Sequence, residues 1–466
     1  MKIAFHGAAR TVTGSKHLIS LNNGKKMLLD CGMFQGTGKD TDFLNRNFGF
    51  NAHEVNYVFL SHAHVDHSGL LPRLVKLGFE GKIYATPATI DVVKALLMDS
   101  AHIQKQDLHF LNKKRFEEGR ALLEPLYTEE DVRKTFNHFV PVHYHQYVKV
   151  DEDITLQFYD VGHIIGSATV YLSLKEEGKT TTVAFSGDVG RYGDPILHSP
   201  QTFPQADYII IESTYGNKVH DPIETYSQEL YQNINETCLK KKGKLIIPAF
   251  SVGRTQELLY ALNDLEIENQ LPPIDYYVDS PLSTTITQIV KNHPECFNRS
   301  VQKLMKIDKD PFDFRGLKYI TDKRESQALN SNFKPSVIIS ASGMAEAGRV
   351  KHHIANSIEN WRNTIMIIGY CEPNSLGARL KKHPETVGIF GSQFNVKADI
   401  VSINSMSAHA DYNDLSQYLA CQDQNEVKRV FIVHGEPEVQ MEFKRRLMKK
   451  GYKDVEVPEL HQEFGI

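Results

Sequence analysis

The run YVFLSHAHVDHSGL, residues 57–70, limits what this chain can be more than any other part of it. His62, His64, Asp66 and His67 put four groups able to bind a metal into six consecutive residues, directly after an apolar stretch of strand length. The competing explanation is a polar loop in which Asp66 and His67 cap a helix starting near Ser68, but a cap needs one such side chain rather than four. Imidazole nitrogen with carboxylate oxygen suits Zn²⁺, and a tight loop at a strand end can aim alternate side chains at two adjacent positions. Two ions require about seven or eight protein ligands besides water, so the remainder must come from distant parts of the chain.

Candidates stand in the same kind of place elsewhere. A chain of 466 residues exceeds one ordinary hydrophobic core, so about two or three domain-sized units are expected. Short apolar runs followed by helical spacing recur, as in YVFL before GLLPRLVKLGF and LIIPAF before GRTQELLYALNDL. That is the order of an α/β chain whose sheets are covered by helices. One set of runs ends in His or Asp: MLLD at Asp30, the loop at His62 to His67, LQFYDVGH at His163, TVAFSGD at Asp188, IVSINSMSAHAD at His409 and FIVHGE at His434. A second set, from about Tyr208 to about Leu380, ends in Gly and small polar residues: YIIIESTYG, LIIPAFSVGRT, YYVDSPLSTT, VIISASGMAEAGR and IMIIGYCEPNSLGAR. Because the second set interrupts the first, one domain is expected to be inserted into another, with both sets of strand ends lining a cleft. The charged stretch between Asp99 and Val142 has helical spacing and reads as a surface excursion.

Composition narrows the classes that remain. A net charge of −4 and a pI near 6.6 give no general attraction for polyanions, so nucleic-acid binding would rest on local cationic patches. The opening MKIAFHGAARTVTGSKHLIS lacks the apolar core of a signal peptide, and no apolar run approaches the ~20 residues of a membrane span, so no membrane association is expected. Cys31, Cys238, Cys296, Cys371 and Cys421 are scattered singly, without a CxxC pair. That argues against a disulfide framework or a thiolate zinc site and points to a cytoplasmic protein.

In order along the chain stand FHGAARTVTGS, LLDCG, SHAHVDHSG, GHIIGSA, FSGD, IESTYG, PAFSVGRTQE, ISASGM, SAHAD and VHGE. On these motifs the chain resembles the metallo-β-lactamase superfamily and, within it, the β-CASP nucleases of RNA processing, the cleavage-and-polyadenylation-factor-like ribonucleases. The resemblance spans essentially the whole chain. It implies an αββα metallo-β-lactamase sandwich, built from residues 1–214 and 387–466, with an α/β β-CASP domain inserted as residues 215–386. It implies one zinc ion on His62, His64 and His163, a second on Asp66, His67 and His434, Asp188 bridging the two, and Asp30 orienting ligands without being one. The RNA-acting members resemble this chain in having His at the position of His434, where the DNA-repair branch commonly has Val. The expected substrate is single-stranded RNA, cut internally or also from a 5′ end, by a homodimer or within an RNA-processing complex. Neither the KH-like module nor the C-terminal extension of some relatives is expected.

Two ions a few Å apart can share a water, lower its pKa toward ~7 and clamp the oxygens of a phosphodiester. The leaving 3′ oxygen then needs a general acid on the far side of the phosphorus. His409 is the candidate, and the resemblance implies the same role for it, with Glu212 of IESTYG in support. A carboxylate on His409 would fix its tautomer and favour the protonated ring. Asp188 and Asp66 complete the expected catalytic set. For the RNA backbone, Ser251 and Arg254 in FSVGRT, Ser340, Ser342, Gly343 and Met344 in ISASGM, and Arg379 in SLGARL offer N–H groups, hydroxyls and cations near helix starts. Ser and Gly in such places also serve as ordinary turn and cap residues. Three other functions compete: the same two-ion site acting on a small ester or phosphodiester, a DNA-acting β-CASP nuclease, and an RNA-binding subunit without catalysis. The long insertion argues against the first, and the full set of ligand positions against the last.

Overall fold

The computed structural model describes residues 1–36, 38–220, 226–369, 371, 374–403 and 407–466; Tyr370, Glu372, Pro373, Asn404, Ser405 and Met406 of the motifs above lie outside them. The chain divides into two compact units, residues 1–192, 198–219 and 409–466 in the first and residues 193–197 and 220–408 in the second.

Strands of the first unit alternate as a half-buried sheet requires. Along Ile154–Asp160, buried Ile154, Leu156 and Phe158 alternate with half-buried Thr155 and Gln157. Two seven-stranded sheets result. The first runs in the order Glu463–Gly465, Lys2–Phe5, His17–Ser20, Lys26–Leu29, Tyr57–Phe59, Lys82–Ala85 and Phe139–Pro141, and is parallel from Lys26–Leu29 onward. The second runs Val455–Glu456, Arg429–Ile432, Tyr208–Ile211, Lys179–Phe185, Ala168–Glu176, Ile154–Asp160 and Val148–Lys149.

Phe5, Leu29 and Phe59 of one sheet and Phe158, Phe185 and Phe431 of the other share a single core. At about 1.5–3 kcal/mol for each large apolar side chain buried, this face-to-face contact contributes substantially to the unit's stability. The other face of the second sheet packs on Leu415 and Tyr418 of the helix Tyr412–Tyr418 and on Phe443 and Leu447 of the helix Pro437–Lys449. Leu28, Val58 and Ile83 point away from the shared core yet are fully buried. That face is covered by the helical group Leu71–Lys76, Pro87–Glu117 and Glu129–Thr135, which completes an αββα sandwich. Thr86 caps Pro87–Glu117, and burial along that helix ends at Ala101, so its charged second half is surface, as its sequence pattern predicts.

The second unit is an α/β layer around a six-stranded, wholly parallel sheet in the order Leu317–Tyr319, Asp275–Val278, Ser336–Ser340, Lys244–Pro248, Thr364–Ile368 and Asp399–Ile403. KLIIP, SVIIS and TIMII are buried at every position, the continuous pattern of a sheet covered on both faces. Neighbouring strands Lys244–Pro248 and Ser336–Ser340 send their connections in opposite directions along the sheet. Their loops, 249–253 and 341–348, therefore lie side by side at the carboxyl ends, the usual ligand position in an open α/β sheet. Among the described residues, no helix is long and apolar enough to cross a membrane.

Two strands belong to the other unit from the one their motifs suggest. Tyr208–Ile211, whose ending resembles the inserted set but which falls within the expected 1–214, lies in the first unit between Lys179–Phe185 and Arg429–Ile432. Asp399–Ile403, grouped with the His- and Asp-ending set, pairs with Thr364–Ile368 in the second. The residues after a strand report what its end does, whereas pairing is decided by neighbours distant in sequence. The second unit accordingly runs on to residue 408, past the expected return at 387.

Candidate metal centre

Each polar end of the first unit's strands converges on one place. Asp30 follows Lys26–Leu29, the His62–His67 loop follows Tyr57–Phe59, His163 follows Ile154–Asp160, Asp188 follows Lys179–Phe185, Glu212 follows Tyr208–Ile211 and His434 follows Arg429–Ile432. His409 arrives just ahead of the helix Tyr412–Tyr418, which Asp411 caps in a box with Asp414. Close backbone approach makes this possible: a Cβ on Gly32 would lie 1.5 Å from the carbonyl oxygen of Asp66. There Cys31 N donates to His67 O and Met33 N to Val65 O, so the Asp30 loop and the histidine loop brace one another. Asp66 and His67 lie inside the short helical turn Val65–Ser68, which has no side-chain cap, so the capping explanation of these residues fails.

The ligand atoms form two groups. In the first, His62 Nε2 and His163 Nε2 each lie 3.1 Å from His64 Nδ1, and 3.5 and 3.6 Å from Asp188 Oδ2. Donors bound to one tetrahedral zinc at roughly 2.0–2.1 Å stand about 3.3 Å apart, so this spacing fits an ion. In the second, His434 Nε2 is 3.3 Å and His67 Nε2 3.9 Å from Asp66 Oδ2, while His67 Nε2 is 3.3 Å from Asp188 Oδ1. Asp188 thus turns one oxygen toward each group. His67 Nε2 and Asp188 Oδ1 are buried and, among the described residues, make no hydrogen bond, an arrangement that costs free energy unless something else occupies those lone pairs. The donor set and these two atoms without a hydrogen bond fit a divalent metal, which His62, His64, His163 and Asp188, or Asp66, His67 and His434, could hold.

Electrostatics point the same way. Every ion pair that Asp30, Asp66, Asp188 and Glu212 make among the described residues is to a histidine. Burial holds the His62 ring well below its ordinary pKa and, despite Asp66 and Asp188, lowers His64 to about 4, which keeps both neutral as a cation requires. For His67, burial is outweighed by Asp188, Asp30 and Asp66, and its pKa rises well above the usual value. The carboxylates around that ring demand positive charge, which a bound cation would supply in place of the ring proton.

Around the ligands lie residues that orient them. Asp30 Oδ2 bonds His67 Nδ1 at 2.6 Å and is itself fixed by the N–H and hydroxyl of Ser61, at 2.8 and 2.9 Å. Glu212, fully buried, accepts from Val189 N at 2.7 Å and Thr214 N at 3.1 Å and lies 3.2 Å from His409 Nδ1. The His409 side chain keeps 20% of its surface exposed, and its Nδ1 is 3.8 Å from Asp188 Oδ2. Burial disfavours the charged ring, but Glu212 and, after it, Asp188 and Asp66 raise its pKa to about 9. Sequence reading missed Ser61 and Thr214. Each stands beside a residue it singled out, Ser61 just before His62 and Thr214 two after Glu212, and that adjacency was the available signal.

Residues expected to contact RNA all lie in the second unit. Ser251 and Arg254 flank the start of the helix Arg254–Ile267, and Ser342, Gly343 and Met344 lie on the neighbouring loop. Two of the expected residues make contacts within the second unit. Ser340 is 1% exposed and donates its hydroxyl to the carbonyl of Asp279 at 2.8 Å, so it closes the strand end rather than presenting a hydroxyl. Arg379 donates to Gly388 O at 3.2 Å and stands 3.6 Å from Glu346, with 41% of its side chain exposed. Arg254 is likewise ion-paired to Glu257, although its Nη2 is buried without a hydrogen bond among the described residues.

Comparison with known proteins places three family descriptions along the chain: "Metallo-beta-lactamase superfamily domain" over residues 18–191, "Beta-Casp domain" over 255–380 and "Zn-dependent metallo-hydrolase RNA specificity domain" over 394–458. Ribonuclease TTHA0252 of Thermus thermophilus is 34% identical over 451 residues, covering 97% of each chain. An RNase J-like protein of Methanocaldococcus jannaschii is 27% identical, over 96% of this chain and 95% of its own. Transcription termination factor FttA of Methanosarcina mazei is 28% identical, over 97% of this chain and 69% of its own.

Proposed function

The chain belongs to the β-CASP branch of the metallo-β-lactamase superfamily, and from that premise we propose that it is a ribonuclease, hydrolysing phosphodiester bonds of single-stranded RNA with two zinc ions. The observation that carries this reading is the pairing of His409 with Glu212 directly beside Asp188, the carboxylate that faces both ligand groups.

Bound divalent ions supply Lewis acidity there, bringing the pKa of a water toward ~7 and offsetting charge on phosphate oxygens. The rest is the work of the chain. His62, His64 and His163 would hold one ion, Asp66, His67 and His434 the other, with Asp188 between them. Asp30 holds the Nδ1 edge of His67, so that Nε2 faces the ion. Glu212, anchored by the amides of Val189 and Thr214, takes the Nδ1 proton of His409 as a hydrogen bond. Nε2 of His409 is then the atom that hands a proton to the leaving 3′ oxygen, so the product carries a 5′ phosphate. In the second unit, Ser251, Arg254, Ser342, Gly343 and Met344 lie on paired loops at strand ends and serve the RNA backbone.

Cutting is internal, with a 5′ exonucleolytic mode at the same centre, and all five cysteines are free, which suits the reducing cytoplasm. The names of two relatives, a ribonuclease and an RNase J-like protein, support the choice of RNA. Cleavage of 5′-labelled and 3′-labelled RNA, with and without chelator and followed by end-group analysis, tests the proposal. The expected result is chelator-sensitive internal cutting that leaves 5′ phosphates. Intact RNA alongside efficient turnover of DNA or of a small ester would overturn it.

A further inference from the structure

We propose that Thr214 is a positioning residue that locks the tautomer of His434 and so builds the ion site formed by Asp66, His67 and His434. The inference rests on the two-ion reading above. Thr214 Oγ1 lies 3.0 Å from His434 Nδ1 and 3.3 Å from the carbonyl oxygen of the same residue. A threonine hydroxyl carries one proton, and a carbonyl oxygen can only accept. With that proton donated to the carbonyl, the hydroxyl oxygen meets Nδ1 as an acceptor, so Nδ1 carries the hydrogen. Nε2, 3.3 Å from Asp66 Oδ2, is thereby left as the ring's lone-pair atom, turned toward the other ligands of that group.

The backbone leaves the ring's state to Thr214. His434 has φ +49°, a region few side-chain-bearing residues occupy, and it is pinned there by His434 N to Ala8 O at 2.7 Å and Ser213 N to His434 O at 3.2 Å. Ser213 donates its hydroxyl to Val433 O at 2.8 Å. These contacts fix the Cα; at the ring's Nδ1, Thr214 Oγ1 is the hydroxyl within hydrogen-bond reach among the described residues, at 3.0 Å, while Asp188 Oδ1 stands farther off at 3.6 Å. The segment Glu212, Ser213 and Thr214 also carries the Glu212 carboxylate, which accepts from Thr214 N at 3.1 Å and meets His409. One turn of chain therefore orients both the proposed proton donor and a ligand of the second ion.

The test is titration of metal-free protein with Zn²⁺ against a chromophoric chelator, for wild type, Thr214→Val and Thr214→Ser, with the absorption spectrum of the Co²⁺-loaded forms as a second readout. Loss of a partner that orients a ligand weakens metal binding by about 10- to 100-fold. Thr214→Val should lose about that much affinity for one of two ions while the other is retained, and its Co²⁺ spectrum should change. Thr214→Ser, which keeps the hydroxyl, should restore both. If wild type binds two ions and Thr214→Val binds them equally well, or if serine fails to restore the loss, the inference is overturned alone. Fewer than two ions on wild type would overturn the two-ion reading itself, and the positioning role with it.

Discussion

Asp279, buried at the end of Asp275–Val278 in the second unit, is bonded to Arg349 at 2.7 Å, to His353 at 2.6 Å and to the hydroxyl of Ser326 at 2.5 Å. Asp188, equally buried at the end of Lys179–Phe185 in the first, is met by histidines, and one of its oxygens has no hydrogen bond among the described residues. Both carboxylates close a strand of an α/β layer. One is neutralised by a guanidinium that belongs to the fold, whereas the other sits among three further acids with no Lys or Arg partner among the described residues. Burying unpaired charge is costly, so the first arrangement is complete as it stands and the second calls for cations from outside.

The widest break in that comparison comes from Asp188→Ala. It removes the one group shared by both ligand sets, so metal content should fall below one ion per chain and RNA cleavage should drop below detection. Retention of two ions would mean that Asp188 bridges nothing. His409→Ala sharpens the contrast within the first unit. Cleavage should fall by about 10²- to 10⁴-fold, the usual contribution of a general acid, with both ions kept. Metal loss equal to that of Asp188→Ala would contradict a role in proton transfer.

In the second unit, the expectation reverses. Asp279→Ala leaves Arg349 and His353 without their carboxylate and should cost about 3–5 kcal/mol in stability, read by denaturant unfolding, while metal content stays at the wild-type value. A stability close to wild type would remove the proposed difference between the two carboxylates. The smallest effect belongs to Arg254→Ala, read as the salt dependence of binding to single-stranded RNA. Its slope should shrink by about 0.7 for one lost phosphate contact, and an unchanged slope would assign Arg254 to its pair with Glu257 alone.

What the sequence revealed follows from how local each feature is. The ligand density of HAHVDH is carried by six adjacent residues, so it was legible without any fold. The convergence of His163, Asp188 and His434 was anticipated from their shared position after apolar runs, which the two-sheet sandwich turns into proximity. Sheet membership was harder. Tyr208–Ile211 and Asp399–Ile403 are similar short β-branched runs, and only their partners, Arg429–Ile432 and Thr364–Ile368, assign each to its unit. Hydroxyls were hardest of all. Ser340 looks in sequence like a ligand for phosphate and is spent on Asp279 O, while Thr214 and Ser61, unremarked in sequence, hold His434 and Asp30. A hydroxyl's role depends on which neighbour takes its single proton, and that is a tertiary fact.

Anomalous scattering at the zinc edge, from crystals of protein equilibrated with Zn²⁺, bears most directly on the claim that this cluster is a two-ion centre. The account predicts two peaks about 3.5–4 Å apart, one among His62, His64 and His163 and one among Asp66, His67 and His434, with Asp188 between them. No peak among these side chains, or zinc bound elsewhere on the chain, would contradict it.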